Sequence, residues 1–537
     1  MSTQSQSSSS KKINIDKYEM FNCDENYDNE IINMQILSDQ LFSSSLCKNC
    51  KKSGLQVRAA QHFGLAFEME IYCCHCKYVH KFNSSRNINL EKKTLFDVNI
   101  RLVYGLRSIG KGMAAGKMLC GVMNLPQPPT KPFRYNKFLK DKAKQVMDES
   151  MKTAVDEAVE ENKTLGKNER DLKVGIDGTW QRRGFSSLNG IVTCTSVDTG
   201  KVMDIEVLSK FCNCLDKQQH EAICSANYQG SSGGMESAGA LAIFHRSVNK
   251  YNVRYLEYLG DGDTNSFKTI ADSKPYGEVE IQKLECIGHI QKRMGSRLRK
   301  LKRDSKGVTL SDGGKLGGKN RLTDGIIDQL QTYYGNAIRK NTDNLQNMKA
   351  AVWAIYFHKL STDDNPQHGL CPSGENTWCK YNKAKHTKEP YSHKNSIPSA
   401  IMLALKPIFQ ALANPDLLRK CLHGKTQNVN ESINNVIWSR VPKKDFVTLN
   451  TLEFGAYDAI STFNDGNIAK CKMLRAVGIE PCKRTIDAMK SFDYERVRRA
   501  NCAISDFQRQ ARRQTRNLKR RIEEDFEEEP AYDPGMH

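Results

Sequence analysis

The hydropathy pattern changes at Asp171, and this change constrains the fold more than any other feature of the chain. Upstream, apolar residues recur at helical spacing through 138–162, whereas downstream they form short runs bounded by glycine or polar turn residues. The downstream segments are, in order, strands at 171–180, 185–197 and 200–211, a helix at 235–252, and strands at 253–263 and 278–289. This pattern predicts an α/β domain in which three consecutive strands form an antiparallel meander.

Helical segments interrupt and follow this sheet. The order of strand, strand, strand, helix, strand, helix, strand is that of the ribonuclease-H-like fold with its mixed sheet. Patterns at 321–360 and 398–420 predict an all-helical insertion, after which a last helix carries Glu431 in its first turn. The predicted division is a disordered or variable N-terminus at 1–40, a zinc-ribbon-like module at 41–90, a helical region at 91–165, the first part of the core at 166–305, the helical insertion at 306–420, the end of the core at 421–500 and a charged tail at 501–537.

Two upstream segments lack the pattern of a folded element. Residues 1–12 contain mainly Ser, Gln and Lys, so we expect disorder, because they cannot bury enough apolar surface to offset the entropy of ordering. Residues 125–135 are rich in proline and predict an extended linker at a domain boundary.

The charge balance favours a polyanionic partner. Lys and Arg number 81 against 61 Asp and Glu, which gives a formal net charge of +20 and a pI near 9.1. No apolar run approaches the length of a membrane span, and the first residues lack a hydrophobic signal segment. We therefore expect an intracellular protein with reduced thiols, no membrane partner and nucleic acid as its ligand.

Three carboxylates follow elements of the predicted sheet. Asp177 lies near the end of the first strand, Asp261 at the end of the fourth, and Glu431 at the start of the last helix. Adjacent strands would bring the aspartates to one edge, where carboxylates can hold two divalent cations that clamp the oxygens of a phosphodiester. Asp263 is an alternative to Asp261, which follows the apolar strand more closely. For each acid alone, a solvated turn or cap residue is the simpler interpretation.

The stretch 171–445 resembles the Mutator-like transposases of eukaryotic DNA transposons. The phrases that carry the resemblance occur in the family's order: IDGTWQRRGFSSLNG, NYQGSSGGME, YLGDGDTNSF, ECIGHIQKRMGSRLRKLK, LTDGIIDQLQTYYGNAIRKN, HGLCPSGENTWCKY and CLHGKTQNVNESINNVIW. The resemblance implies a DDE transposase in which Asp177, Asp261 and Glu431 are the catalytic acids and hold a pair of Mg²⁺ or Mn²⁺ ions. It also implies cleavage of double-stranded DNA at transposon terminal inverted repeats, strand transfer into target DNA, a homo-oligomer and a nuclear location.

The same resemblance gives Cys286 and His289 a role local to the active site, since the family carries a Cys or Asp, two residues and a His after the last core strand. An imidazole there can hydrogen-bond a phosphate oxygen or orient a metal ligand. The structural alternative is a small buried hydrophobe at Cys286 and a polar cap at His289. The functional alternatives are a domesticated relative that regulates through DNA binding without cleavage, and a ribonuclease-H-like nuclease that acts on RNA or hybrids.

Two short-spaced cysteine pairs predict a structural zinc site. Cys47 and Cys50 form one CxxC pair, Cys73 and Cys76 form the other, and 22 residues separate the pairs. Each pair can occupy one edge of a zinc tetrahedron. Residues 74–75, a Cys and a His inside the second pair, are alternative ligands. A redox CxxC is disfavoured because no strand-helix-strand unit surrounds the pairs.

Two further Cys and His groups have weaker spacing. The first contains Cys212, Cys214, His220 and Cys224, and the second contains His368, Cys371 and Cys379, completed by Cys421 or His423. Either group can bind zinc, and the alternative is isolated thiols and surface imidazoles. A zinc ion in the second group would pin the insertion to the helix that carries Glu431.

Basic segments predict how DNA is held. A strongly basic helix follows Cys286, and its cations would face DNA phosphates beside the active site; they include Lys292, Arg293, Arg297, Arg299 and Lys300. The stretch 96–119 has the glycine-interrupted pattern of a helix-turn-helix, or of a helical pair packed on the zinc module. The run at 511–521 is typical of a nuclear localisation signal or of a solvated helix face.

Overall fold

A computed structural model describes the chain at residues 7–21, 28–90, 93–182, 187–212, 214, 224–260, 265–318, 320–375, 377–394, 396–505 and 514–515. The chain divides into two compact units. The first comprises residues 1–154, 211–226 and 433–537, and the second comprises residues 155–210 and 227–432. The sheet that begins at Asp171 therefore belongs to the second unit, and the paired cysteines of the N-terminal region belong to the first.

Sheets and many helices make up the described chain, which confirms the predicted α/β class. The strands are β1 (Leu55–Phe63), β2 (Ala66–Cys73), β3 (Val79–Asn83), β4 (Asn87–Leu90), β5 (Lys93–Phe96), β6 (Asp171–Trp180), β7 (Asn189–Ser196), β8 (Val202–Ser209), β9 (Arg254–Gly260) and β10 (Gln282–Glu285). The helices are α1 (Ser8–Lys12), α2 (Met34–Ser44), α3 (Asp97–Ser108), α4 (Met113–Val122), α5 (Pro132–Thr164), α6 (Gly234–Tyr251), α7 (Asn265–Ser273), α8 (Ile287–Asp304), α9 (Asp324–Arg339), α10 (Leu345–Leu360), α11 (Lys380–Thr387), α12 (Ser399–Leu412), α13 (Pro415–Arg419), α14 (Asn428–Arg440), α15 (Leu449–Asp465), α16 (Ile468–Ala476) and α17 (Lys483–Ile504). A 3-10 helix, Ile15–Met20, lies between α1 and α2.

The second unit is built on a five-stranded mixed sheet. Its strand order is β10-β9-β6-β7-β8, with β6 antiparallel to β7 and parallel to β9. Every residue of β7 and nearly every residue of β8 is buried, as expected for strands that are covered on both faces. The predicted meander of three strands and the helix after it are confirmed.

Helix α6 covers one face of this sheet. It packs on β7 and β8. Arg246, near the end of α6, donates to both carboxylate oxygens of the fully buried Asp204 on β8, at 2.7 and 3.0 Å. Such a bidentate, charge-assisted pair is specific in its geometry. It therefore fixes the position of α6 along the meander.

The predicted helical insertion shares one apolar core with α8, the helix that precedes it. On α8, apolar side chains recur three or four residues apart at Ile287, Ile290, Met294 and Leu298, and all four are buried. They share a core with apolar residues of α9, α10 and α12. The helical patterns predicted at 321–360 and 398–420 are thereby confirmed. The basic residues of α8 lie outside this core.

The expectation of disorder at the N-terminus is wrong for the part of that stretch that the structure describes. The segments α1 and α2 and the 3-10 helix between them are folded. Tyr18 and Phe21 are buried in a cluster with Ile468, and the Tyr18 hydroxyl donates to Asp493 at 2.8 Å. The segment folds because its two aromatic residues have partners far along the chain, which its polar composition does not reveal.

The proline-rich linker is shorter than predicted. Helix α5 already begins at Pro132, and Tyr135, which the linker was expected to include, is buried in its first turns. Proline suits the first turn of a helix, because its missing N–H has no helical acceptor there and its φ is preset. The helix predicted at 138–162 is confirmed as the main part of α5.

A buried charged network holds the helices of the first unit together. Asp458 on α15 accepts hydrogen bonds from Lys470 Nζ at 2.5 and 2.6 Å, from Arg440 Nε at 2.7 Å and from the Tyr104 hydroxyl at 3.0 Å. Burial by itself would raise the pKa of Asp458, but the charges of Lys470 and Arg440 lower it. Burial lowers the pKa of Lys470 to about 8, against the attraction of Asp458. Four helices thus depend on one carboxylate.

We expect Asp458→Asn to destabilise the first unit strongly. The substitution leaves two cations buried without a countercharge, and breaking a buried pair in this way costs about 3–5 kcal/mol. The measurement is the urea or thermal midpoint of the first unit, followed by hydrogen exchange in α15 and α16. Asp487→Asn is the matched control, because Asp487 is exposed on α17 of the same unit; equal effects of the two substitutions would contradict the assignment.

Candidate active site and metal-binding clusters

Asp177 lies on the central strand of the five-stranded sheet. Strand β6 is bordered by β7 on one side and β9 on the other. Asp177 is half-buried and pairs across the antiparallel ladder with Thr193. On the parallel side, Gly175 pairs with Leu259, and β9 ends at Gly260. Asp261 follows this strand directly in the sequence, but Asp261 and Asp263 lie outside the described residues.

Glu431 is exposed in the first turn of α14, as predicted, and the residue before it contacts the sheet. The Asn430 amide is buried; it donates to the carbonyl of Gly175 at 3.2 Å and to the hydroxyl of Thr193 at 3.4 Å, and it accepts from Thr195 at 2.9 Å. Thr193 is the cross-strand partner of Asp177. The residue preceding Glu431 therefore touches the residue opposite Asp177.

A second buried amide joins the start of α14 to two strands at once. Gln427 Nε2 donates to the carbonyl of Ile176 on β6 at 2.8 Å and to that of Leu259 on β9 at 3.2 Å. The backbone N–H of Gln427 donates to the sulfur of Cys286 at 3.3 Å. Gln427 lies one helical turn before Glu431, whose N–H donates to the Gln427 carbonyl. The base of the helix is thus fixed over the junction of β6 and β9.

The alternation of side chains along β6 assigns Asp177 to the face that carries α14. A Cβ added at Gly175 would come within 2.8 Å of Asn430 Oδ1, whereas one added at Gly178 would come within 2.7 Å of Glu236 on α6. Residues two apart on a strand share a face, so Asp177 shares the face of Gly175. Asp177 lies about 7 Å further along the strand than Gly175.

Cys286 and His289 flank this region at the start of α8. Cys286 is buried and precedes the first residue of the helix, and its sulfur accepts the Gln427 N–H. His289 is half-buried in the first turn. Cys286 therefore supports the base of α14. This contact is compatible both with a small buried residue that packs in the core and with a role beside the active site.

The basic residues of α8 divide into two groups. Lys292, Arg297 and Lys300 are exposed. Arg293 is half-buried and forms an ion pair with Glu285 at 3.0 Å, whereas Arg299 is also exposed but forms an ion pair with Asp328 on α9. These two arginines are engaged by the fold itself, so Lys292, Arg297 and Lys300 are the better candidates for contact with phosphates.

Comparison with known families finds a match to the model of the Mutator-like transposase over residues 25–379. The match covers more than half of the chain. The chain belongs to the Mutator-like transposase family. The matched residues include Asp177, Cys286 and His289 and end before Glu431. Comparison with curated proteins finds no match.

This Mutator-like transposase has a four-cysteine cluster in its first unit, as predicted. The four sulfurs of Cys47, Cys50, Cys73 and Cys76 lie within 4.8 Å of one another, with 3.6 Å between those of Cys47 and Cys76 and 3.7 Å between those of Cys50 and Cys73. A tetrahedron with zinc–sulfur bonds of about 2.3 Å has edges of about 3.8 Å. Cys74 is exposed and outside the cluster. The cluster therefore fits a tetrahedral zinc ion.

The sulfurs of Cys212, Cys214 and Cys224 also lie within 4.8 Å of one another, with 3.5 Å between those of Cys212 and Cys224. The N–H of Cys214 donates to the Cys212 sulfur at 3.3 Å. Three of the four residues predicted for this group are therefore together. His220, the fourth, lies outside the described residues.

The second weak group requires a correction. His368, Cys371 and Cys379 are together, but the side chain that joins them is His358 of α10. His423 Nε2 instead donates to the Glu285 carbonyl at 3.0 Å, and its Nδ1 accepts the N–H of Lys425. Burial lowers the pKa of His423, which agrees with a neutral ring whose two nitrogens have these opposite roles.

Cys421, the other residue predicted as the fourth ligand of this group, also lies outside it. Its buried thiol donates to the Leu417 carbonyl at 3.4 Å. The group thus lies within the insertion, and it does not pin the insertion to α14.

Among the residues that the structure describes, no helix has both the length and the apolar character needed to cross a membrane.

Gln427 and Asn430 were not among the functional residues predicted from the sequence. Both lie in the phrase QNVNES that contains Glu431, and Asn430 precedes that acid directly. Their positions four residues and one residue before Glu431 were the only indication in the sequence that they could support this acid. Their role is visible only through the buried carbonyls that they contact.

We expect Gln427→Leu to loosen the first turn of α14. The substitution removes two buried hydrogen bonds and leaves their carbonyls facing an apolar group, which costs about 1–3 kcal/mol. That cost corresponds to local opening that is about 5- to 150-fold more frequent. Hydrogen exchange of peptides from α14 and β6 measures this opening. Asn435→Ala, at an exposed amide of the same helix, is the control and should leave the exchange of β6 unchanged.

Proposed function

We propose that this protein is a DDE transposase that cleaves DNA at transposon ends and transfers the ends into target DNA, with Asp177, Asp261 and Glu431 as its catalytic acids. The observation that carries the proposal is the contact between α14 and the sheet. Asn430, beside Glu431, touches Thr193, the partner of Asp177. Gln427 contacts the strand of Asp177 and the strand that precedes Asp261 in sequence.

The sheet topology supports a ribonuclease-H-like core. Its order places the first strand of the domain in the centre, an antiparallel meander on one side and two parallel strands on the other. This arrangement brings the ends of β6 and β9 together at one edge of the sheet. In an open sheet with parallel strands, the ends of neighbouring strands are the usual location of a site.

The three carboxylates would hold divalent cations, Mg²⁺ or Mn²⁺, because these cations prefer oxygen ligands. A bound pair of such ions supplies an activated water and stabilises the attacking and leaving oxygens of a phosphodiester. The protein's own contribution is to hold the carboxylates in place. Asn430 and Gln427 do so for the helix, and the ladder of β6 with β7 and β9 does so for Asp177.

His289 is proposed as a hydrogen-bonding partner for a phosphate oxygen or a metal ligand. It lies in the first turn of α8, three residues after Cys286, which contacts the base of α14. Cys286 is then a positioning residue, since its sulfur accepts the N–H of Gln427 and is itself buried.

The proposed DNA path follows the exposed side chains Lys292, Arg297 and Lys300 of α8. Cations of this kind contact phosphates and position the duplex without reading its sequence.

The four-cysteine cluster is proposed to bind structural zinc and to stabilise the N-terminal module. Together with the helices α3 and α4, this module would recognise the element's ends. A nuclear location and an assembly that joins two DNA ends complete the proposal.

We expect Asp177→Asn and Glu431→Gln to abolish metal-dependent cleavage. The purified chain would be incubated with labelled duplexes that carry the inverted repeats of the element, with Mg²⁺ or Mn²⁺. Loss of a metal ligand removes several kcal/mol of charge stabilisation, so the rate should fall about 1,000-fold or more. Glu278→Gln is the control, because Glu278 is an exposed acid of the same unit.

Three outcomes of this assay are informative. Cleavage that survives in both variants would mean that the active site lies elsewhere. Specific binding without cleavage by the unaltered chain, under every metal condition, would favour a DNA-binding regulator derived from a transposase. Cleavage of RNA or hybrids in preference to duplex DNA would favour a nuclease.

We expect Arg297→Ala to weaken DNA binding and to reduce its salt dependence. Each phosphate contact that is removed lowers the slope of log K against log salt concentration by about 1. Arg299→Ala is a matched control on the same helix, because Arg299 already pairs with Asp328. Titration of labelled duplex at several salt concentrations measures both slopes. Equal losses would contradict the proposed division of the basic residues.

A further inference from the structure

Four side chains join the end of α10 to the loop that follows it. His358 lies in the last turn of α10, His368 and Cys371 lie in the loop, and Cys379 precedes α11. We call this group the insertion cluster. Its four ligand atoms lie within 4.8 Å of one another, and three of its residues are buried. Among the described residues between α10 and α12, only α11 is regular.

The distances in the insertion cluster are those of a tetrahedral metal site. The two Nδ1 atoms are 3.2 Å apart, the Cys371 sulfur is 3.6 Å from each of them, and the Cys379 sulfur is 3.4 and 3.8 Å from them. Zinc bonds of about 2.0–2.1 Å to nitrogen and 2.3 Å to sulfur give edges of about 3.3 Å between nitrogens and 3.5 Å between nitrogen and sulfur. The observed edges agree with these values within about 0.3 Å.

Hydrogen bonds alone do not account for this arrangement. Each thiol has one proton and each neutral imidazole has one N–H, so the four groups can form only a few directed bonds. Here both sulfurs approach both Nδ1 atoms, and the Nδ1 atoms approach each other. One cation at the centre satisfies all of these contacts together. We infer that the insertion cluster binds one structural zinc ion through two thiolates and two imidazole Nδ1 atoms.

A chain of hydrogen bonds extends outward from this site. His368 Nε2 is 2.9 Å from His393 Nε2, and His393 Nδ1 is 2.6 Å from Asp363 Oδ1. With Nδ1 of His368 on the metal, its Nε2 carries the proton and donates to His393, which in turn donates through Nδ1 to the carboxylate. Asp363 also accepts from the N–H of His393 and from Ser392. Such outer partners orient the ligand ring and raise its basicity.

The zinc ion would hold in place a loop with little regular structure. The ion would join α10, the loop and the start of α11. At the far end of the loop, the N–H of Ile397 donates to the carbonyl of Lys359, which follows His358. A structural metal contributes directly to the folding energy of such a segment. This role concerns the insertion alone and is independent of the proposed transposase activity.

The test is the zinc content of the purified full chain and of paired variants. We expect His358→Ala and Cys371→Ser each to lower the content by one ion per chain. The controls are His423→Ala and Cys421→Ser, which remove an imidazole and a buried thiol outside the cluster and should leave the zinc content unchanged. Unchanged zinc in the first two variants, or a loss in the controls, would overturn the assignment.

A second measurement covers variants that fail to fold. Asp363→Asn alters the outer partner and no ligand, so the chain should keep its zinc but bind it about 10- to 100-fold more weakly in competition with a chelator. In the unaltered chain, chelation should expose the segment from Ser361 to Ile397 to proteolysis, and added zinc should restore protection. Equal affinity in Asp363→Asn together with unchanged proteolysis would overturn the inference.

Discussion

The contact between two side-chain amides and the carbonyls of the central strands underlies the arrangement of the proposed site. Gln427 and Asn430 reach buried carbonyls on β6 and β9 that lie just before Asp177 and just before the end of β9. A buried carbonyl strongly prefers a donor, and an amide supplies one without a charge. The helix that carries Glu431 is therefore held against the sheet by neutral groups.

The proposed metal sites would hold the chain together in two places where regular structure is sparse. The four-cysteine cluster lies beside a sheet in which β1 and β3 have many exposed residues, and the insertion cluster lies in a loop between two helices. Segments of this kind bury too little apolar surface to be ordered by packing alone. A metal ion would supply folding free energy at these points, whereas the helices of the insertion are joined by buried apolar side chains.

The net charge of the chain overstates the number of cations that are available to contact nucleic acid. Arg246 and Lys470 neutralise buried carboxylates, and Arg293 and Arg299 are paired within the second unit. These cations stabilise the fold, and they are indistinguishable by composition from exposed ones. The partners of each residue in the folded chain separate the two groups, since Arg297 and Arg299 on α8 are both exposed but Arg299 forms an ion pair with Asp328.

The sequence by itself determined the meander of β6, β7 and β8, the basic helix α8, the helix of Glu431, the cysteine pairs and the family. These features follow from local periodicity and fixed spacing, which neighbouring residues set. Only the tertiary structure decided that the N-terminal segment folds, that His358 replaces His423, and that Gln427 and Asn430 anchor α14. The N-terminal segment and α14 depend on partners distant in sequence, and such pairings arise from packing that no local pattern encodes. His358 lies only ten residues before His368, but the turn of the chain after α10 is what brings the two rings together.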